Sequence, residues 1–97
     1  MNLRWDPRAV EDLRDIRSYI ASHSSPTAAE RVRRHLVGRV DRLRTHPRMG
    51  TASSSPEIRI LAPTRYPYRI YYTVQRNEVA ILHIRHTARQ APEDLGL

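Results

Sequence analysis

Apolar residues recur at helical spacing in the first half of the chain and alternate with polar ones in the second. Leu3 and Trp5 alternate with Asn2 and Arg4, which predicts a short opening strand. Asp6-Pro7 then signals a helix start: Asp6 can cap free amides and Pro7 suits the first helical position. Ala9, Leu13, Ile16 and Ile20 form one apolar stripe among charged residues, so an amphipathic helix is expected to end near Ser22-His23-Ser24. Ser25-Pro26 repeats the opening, and Ala29, Val32, Leu36, Val40 and Leu43 make a second stripe. This helix should stop before His46-Pro47, because proline disfavours helical geometry in the residue before it. The two predict an antiparallel helical hairpin.

His46 to Pro56, rich in Ser, Pro and Gly, is expected to be loop. Three strands are predicted beyond it, about Glu57–Ala62, Tyr66–Val74 and Glu78–His86, the last two joined by a tight turn at Gln75-Arg76-Asn77. The last strand is apolar on both faces, as a central strand is. Thr87–Leu97 is a polar tail with a weakly amphipathic end. The order strand–helix–helix–strand–strand–strand predicts an α+β fold. In it the helical hairpin packs on one face of a mostly antiparallel sheet of about four strands, and the other face is left partly open. No repeat or linker divides residues 1–97, so a single domain is expected.

Alternation also sorts the strand side chains. Tyr68, Ile70, Tyr72 and Val74 share the more apolar face and should meet the helices, leaving Arg69, Tyr71 and Thr73 outside. Leu82 and Ile84 inward would place His83 and Arg85 outward, and Ile58 and Ile60 inward would place Arg59 outward. Three successive strands would then each set an arginine (Arg59, Arg69, Arg85) on the open face, with Tyr71 among them. A bulge would shift this assignment by one residue. One exposed arginine is ordinarily only solvated. Like charges side by side on a sheet are destabilising, so a cluster of three suits an anionic partner.

Composition narrows the chemistry. The 97 residues allow one core and no deep interior cavity, so a site should be a groove or a sheet face. There is no cysteine, which excludes disulfides, thiolate metal sites and a cysteine nucleophile, and suits a reducing cytoplasm. No apolar run reaches the ~20 residues of a membrane span, and the charged start does not read as a signal peptide. The formal net charge is +7, and all 17 basic residues of the Lys+Arg class are arginine. Such a domain favours a polyanion or an acidic protein segment. Six arginines between Ile58 and Pro92 stand against Glu78 alone, so the second half is expected to carry the field. No two histidines have the helical spacing of a metal pair and no glycine-rich phosphate loop is present, so neither metal nor cofactor is expected. His83 and His86 are the acid–base candidates, set against ordinary structural roles at a strand end. Ser53–Ser55 reads as loop.

Several stretches together carry a family likeness: Trp5 in the opening strand, Asp12-Leu13, Ile16 and Tyr19-Ile20 in the first helix, and Ala28-Ala29 at the start of the second. With them go Leu43, Pro47 and Gly50, then Tyr66-Pro67-Tyr68-Arg69-Ile70-Tyr71-Tyr72, then Ile81-Leu82-His83-Ile84-Arg85-His86-Thr87-Ala88-Arg89. Over nearly its whole length the chain resembles the ParE toxins of the RelE/ParE superfamily, and the last two stretches are the specific ones. The resemblance implies a bacterial toxin neutralised by an acidic, partly disordered antitoxin of the ParD kind, in a hetero-oligomer. ParE-like members act on DNA gyrase, meeting nucleic acid only through it, whereas RelE-like members cut messenger RNA in the ribosome. The fold is shared, so the site must decide. The ribonucleases use several basic residues and an acid–base tyrosine or histidine near the C-terminus. Arg69 matches one of their arginines, but Thr87 falls where another would align, and Gln90–Leu97 has no tyrosine, histidine or lysine. A non-enzymatic gyrase poison is therefore expected, binding through Arg59, Arg69, Tyr71, His83, Arg85 and Arg89. The alternatives are a ribosome-dependent endonuclease using Arg69, Arg85 and His86, and a degenerate toxin that only binds its antitoxin.

Overall fold

The computed structural model describes residues 1–97. Its elements are β1 (Asn2–Trp5), α1 (Pro7–His23), α2 (Pro26–Asp41), β2 (Thr51–Ala52), β3 (Ile58–Leu61), β4 (Tyr68–Gln75) and β5 (Glu78–His86). Short 3-10 turns follow α2 at Arg42–Arg44 and close the tail at Glu93–Leu95. Both helices start as their sequence signals predict. The Asp6 carboxylate accepts from the Arg8 amide at 2.9 Å, and the Ser25 hydroxyl accepts from the Ala28 amide at 3.0 Å. The α2 stripe continues through the 3-10 turn, so Leu43 is still buried. No helix is long and apolar enough to cross a membrane.

The sheet has five strands in the order β1-β5-β4-β3-β2, one more than expected, because Thr51–Ala52 pairs with β3 as a short edge. β1 runs parallel to β5 and the other pairings are antiparallel. The helical hairpin covers one face. Ala9, Val32, Leu36, Val40 and Leu43 meet Leu61, Tyr68, Ile70, Tyr72, Val79, Ile81 and Ile84 there.

The other face is not open. Ile58, Tyr71, Ala80 and Leu82 form a second apolar cluster, over which Ala91 and Leu95 of the tail pack, and Pro92 is fully buried. Picking the more apolar set of a strand finds the helix side in β4, where Tyr68, Ile70, Tyr72 and Val74 meet the helices, but with both faces buried it is no general guide. In β3 the assignment reverses. Arg59 and Leu61 pair with Tyr72 and Ile70, on the helix side, and Ile58 and Ile60 lie on the tail side. In β5 a register shift lets Tyr71 oppose His83 while Tyr72 opposes Ile81, so Leu82 is the extra residue and joins the tail-side cluster. A bulge of this kind re-aims side chains locally.

Candidate functional site

The C-terminal half of β5 extends past the end of β1, whose pairing stops at Trp5–Ile81. Its edge is satisfied by α1 instead. The Asp12 carboxylate accepts the Ile84 amide at 2.9 Å and lies 2.6 Å from His83 Nδ1. The other ring nitrogen of His83 lies 3.1 Å from both oxygens of Asp94, in the tail. Arg8 donates to Asp94 at 2.6 Å and to Asp6 at 2.8 Å. A continuous polar chain, Asp6–Arg8–Asp94–His83–Asp12, thus ties the start of α1 and the tail to β5. His83 is 7% exposed at its centre. The contacts with His83, and then with Arg8, hold the Asp94 carboxyl down to about 2. The hydrogen bond from Arg8 is the main cause that lowers Asp6.

Beside this chain the arginines gather. Arg69 and Arg85 are cross-strand partners, and both are partly exposed. Arg85 and Arg89 line a shallow hollow of about 480 Å³ with Gln90, Ala91, Glu93 and Asp94. A neighbouring hollow of about 510 Å³ lies against α1, lined by Asp15, Ile16, Tyr19, Tyr68, His86 and Arg89. The His86 ring meets Tyr68 edge-on at 5.4 Å, and its Nδ1 accepts the Ala88 amide at 2.9 Å. Burial pushes the Tyr68 phenol up from its ordinary value. Tyr19, 62% exposed, is the most exposed of the large apolar side chains. The arrangement offers cations, one aromatic anchor and a half-apolar groove, which suits an acidic amphipathic segment better than a small molecule.

The structure brings Arg69, Arg85, His83, His86 and Arg89 to this end of the sheet. Two expected members are not offered to a partner there. Arg59 faces the helix side and donates to the carbonyls of Gly50 (2.6 Å) and Arg48 (3.1 Å), bracing the preceding loop. Tyr71 is 2% exposed, buried under the tail. Asp94, Arg8 and the hollow residues Asp15, Ile16, Tyr19 and Tyr68 join the site without having been singled out as contact residues. The Asp12–His83 contact spans 71 positions in the chain and has no local signal.

Comparison with known proteins covers most of the chain. A family model described as the ParE toxin of the type II toxin–antitoxin system parDE matches residues 3–91. A curated relative, Toxin RelE2 of Caulobacter vibrioides, is 38% identical over 86 residues, covering 88% of this chain and 93% of its own. A solved structure titled as the chromosomal ParDE TA system from P. aeruginosa superposes with a TM-score of 0.80 at 27% identity, covering 89% of this chain and 95% of that one. With the helical hairpin on the sheet and the match over almost the full length, the chain belongs to the ParE toxin family of type II toxin–antitoxin systems.

Proposed function

We propose that this toxin acts in the cytoplasm by binding rather than by proton transfer, that DNA gyrase is its target, and that a cognate acidic ParD-like antitoxin neutralises it by covering the Arg69–Arg85–Arg89 end of the sheet. The observation that carries this reading is the state of the two candidate acid–base histidines. Both nitrogens of the buried His83 are engaged by carboxylates, Asp12 at 2.6 Å and Asp94 at 3.1 Å. One nitrogen of His86 is occupied by the Ala88 amide. A metal-free ribonuclease must take a proton from a 2′-hydroxyl and give one to the leaving oxygen. Tyr68, beside His86, is a poor candidate for the second group because burial raises its phenol. Glu93 and Asp94 are the ionisable side chains of Gln90–Leu97, and Asp94, depressed to about 2, holds no proton to donate near neutral pH.

One observation favours the ribonuclease reading: the 38% identical relative carries a RelE name. One pair of assays separates the two. Purified toxin is added to a gyrase supercoiling reaction, and to messenger RNA with and without ribosomes. Inhibited supercoiling with intact RNA is expected. RNA cleavage that disappears in His83→Ala or His86→Ala would replace this proposal with the ribonuclease one. Neither effect would leave a chain that only binds its antitoxin.

A further inference from the structure

The segment formed by α2 and the turn after it carries a second cationic field that the proposed function does not use. Between residues 26 and 48 seven arginines stand against two carboxylates, Glu30 and Asp41. That excess equals the one between Ile58 and Pro92, so the second half does not carry the field alone. Both carboxylates are already engaged, Glu30 by Arg33 at 2.5 Å and Asp41 by Arg44 at 2.8 Å. Arg34 reaches Glu30 only at 3.8 Å, with 77% of its side chain exposed. Arg31 and Arg42 are exposed and form no ion pair. At 3.6 residues per turn, Thr27, Arg31, Arg34, Gly38 and Arg42 fall within about 80° of arc, opposite the buried stripe. All five are exposed.

The chemistry of the stripe selects its partner. A protein interface wants a buried aromatic or aliphatic anchor at its centre. Beside its cations this stripe offers only Thr27 and Gly38, and a Cβ added at Gly38 would meet nothing within 4 Å. A single-stranded nucleic acid wants an aromatic platform to stack on, and no aromatic residue lies on the stripe. Nucleic-acid duplexes instead take polar, strongly positive surfaces. Arg34 and Arg42, eight residues apart, stand about 12 Å apart along the helix axis. That matches the ~12 Å width of the B-form major groove, so the two can reach phosphates on either side of it. The major groove of A-form RNA is too narrow for this.

We propose that the outer face of α2, with the first residue of the 3-10 turn that caps it, binds the phosphate backbone of duplex DNA through Arg31, Arg34 and Arg42, without reading base sequence. This departs from the expectation that the toxin meets nucleic acid only through another protein. It leaves the Arg69–Arg85 end, on the opposite side of the sheet, free for a protein partner while the toxin rests on DNA.

The test is fluorescence anisotropy of a labelled mixed-sequence duplex of about 30 base pairs with the full chain, over a series of salt concentrations. The wild type should bind more weakly as salt rises, with log K linear in log salt. Combining Arg31→Gln, Arg34→Gln and Arg42→Gln should lower the slope by about 2.7, three phosphates at ~0.9 each. Combining Arg69→Gln, Arg85→Gln and Arg89→Gln removes the same formal charge and should leave the slope unchanged. Should the first triple variant melt at room temperature, Arg31→Gln and Arg42→Gln alone should each lower the slope by about 0.9. Equal slopes for the two triple variants would mean bulk charge alone and would overturn the proposal. So would no wild-type binding at low salt, or preferred binding of single-stranded RNA or poly-glutamate over the duplex.

Discussion

Gly50 sits where no side chain fits. A Cβ there would lie 2.7 Å from the Tyr72 hydroxyl and 2.8 Å from the Ile60 carbonyl, one of them immovable backbone. The Gly50 amide donates to that hydroxyl at 2.8 Å inside the core. Gly50→Ala should therefore overpack the site and cost about 1–3 kcal/mol, read as a melting point lower by several degrees. Tyr72→Phe should cost a similar ~1–3 kcal/mol for a different reason, a buried amide left without its acceptor. Equal stability of wild type and Tyr72→Phe would mean that the amide finds another partner.

Asp94 makes a pH-dependent contribution whose sign follows from its contacts. Its carboxyl titrates at about 2 in the folded protein against an ordinary 3.8, because His83 and Arg8 favour the charged form. The stabilisation is therefore present above the ordinary value and is lost as the pH falls through the folded one. Asp94→Asn should unfold at lower urea than the wild type at pH 6, and the gap should close between about pH 4 and pH 2. Asp6, lowered by Arg8, acts in the same direction. A gap that persists at pH 2 would show that Asn disturbs the tail in some other way.

At the scale of elements, the tail is the unexpected one. Gln90–Leu97 reads as a polar end, yet it covers the second apolar cluster through Ala91 and Leu95 and is latched through Asp94. Helix starts were legible, since Asp6-Pro7 and Ser25-Pro26 are local signals acting on adjacent amides. The central place of β5 was legible too, because a strand between two neighbours must be apolar on both faces. The facing of β3 and the shift at Leu82 were not. Both depend on the tail and on the end of β1, partners distant in sequence. The site was legible only as far as alternation held, which placed Arg69 and Arg85 together and Tyr71 on their face, but misplaced Arg59 and did not show that the tail covers Tyr71. If the latch holds the tail, His83→Ala should free it while leaving the helix-side core in place. Amide exchange at Arg89, Leu95 and Gly96 should then rise by on the order of tenfold, with the β4 amides little changed. Uniform acceleration across the chain would indicate global destabilisation and no separate latch.

At the scale of the molecule, the charge is arranged on two outer surfaces. The β4–β5 end presents Arg69, Arg85 and Arg89, while the far side of α2 presents Arg31, Arg34 and Arg42. The N-terminal strand and helix between them contribute little field, since Arg4, Arg8 and Arg14 pair with Asp6, Glu11, Glu78 and Asp94 and only Arg17 is left unpaired. An acidic antitoxin approaching a chain of net charge +7 is accelerated by the whole distribution. Under the proposed function, however, it is retained only by the contacts it makes at Arg69, Arg85 and the hollow beside Tyr19. Long-range steering is screened over ~8 Å at physiological salt, whereas desolvated contacts are screened far less. Association should therefore slow by about tenfold or more between low and high salt, with dissociation changing little. Combining Arg31→Gln, Arg34→Gln and Arg42→Gln should slow association without speeding dissociation. Combining Arg69→Gln and Arg85→Gln should speed dissociation, because charge-assisted arginine bonds are roughly twice as strong as neutral ones. Surface-immobilised antitoxin and toxin variants in a salt series give both rates. If the α2 variant speeds dissociation as much as the sheet variant does, the antitoxin also covers α2, and the two surfaces serve one partner.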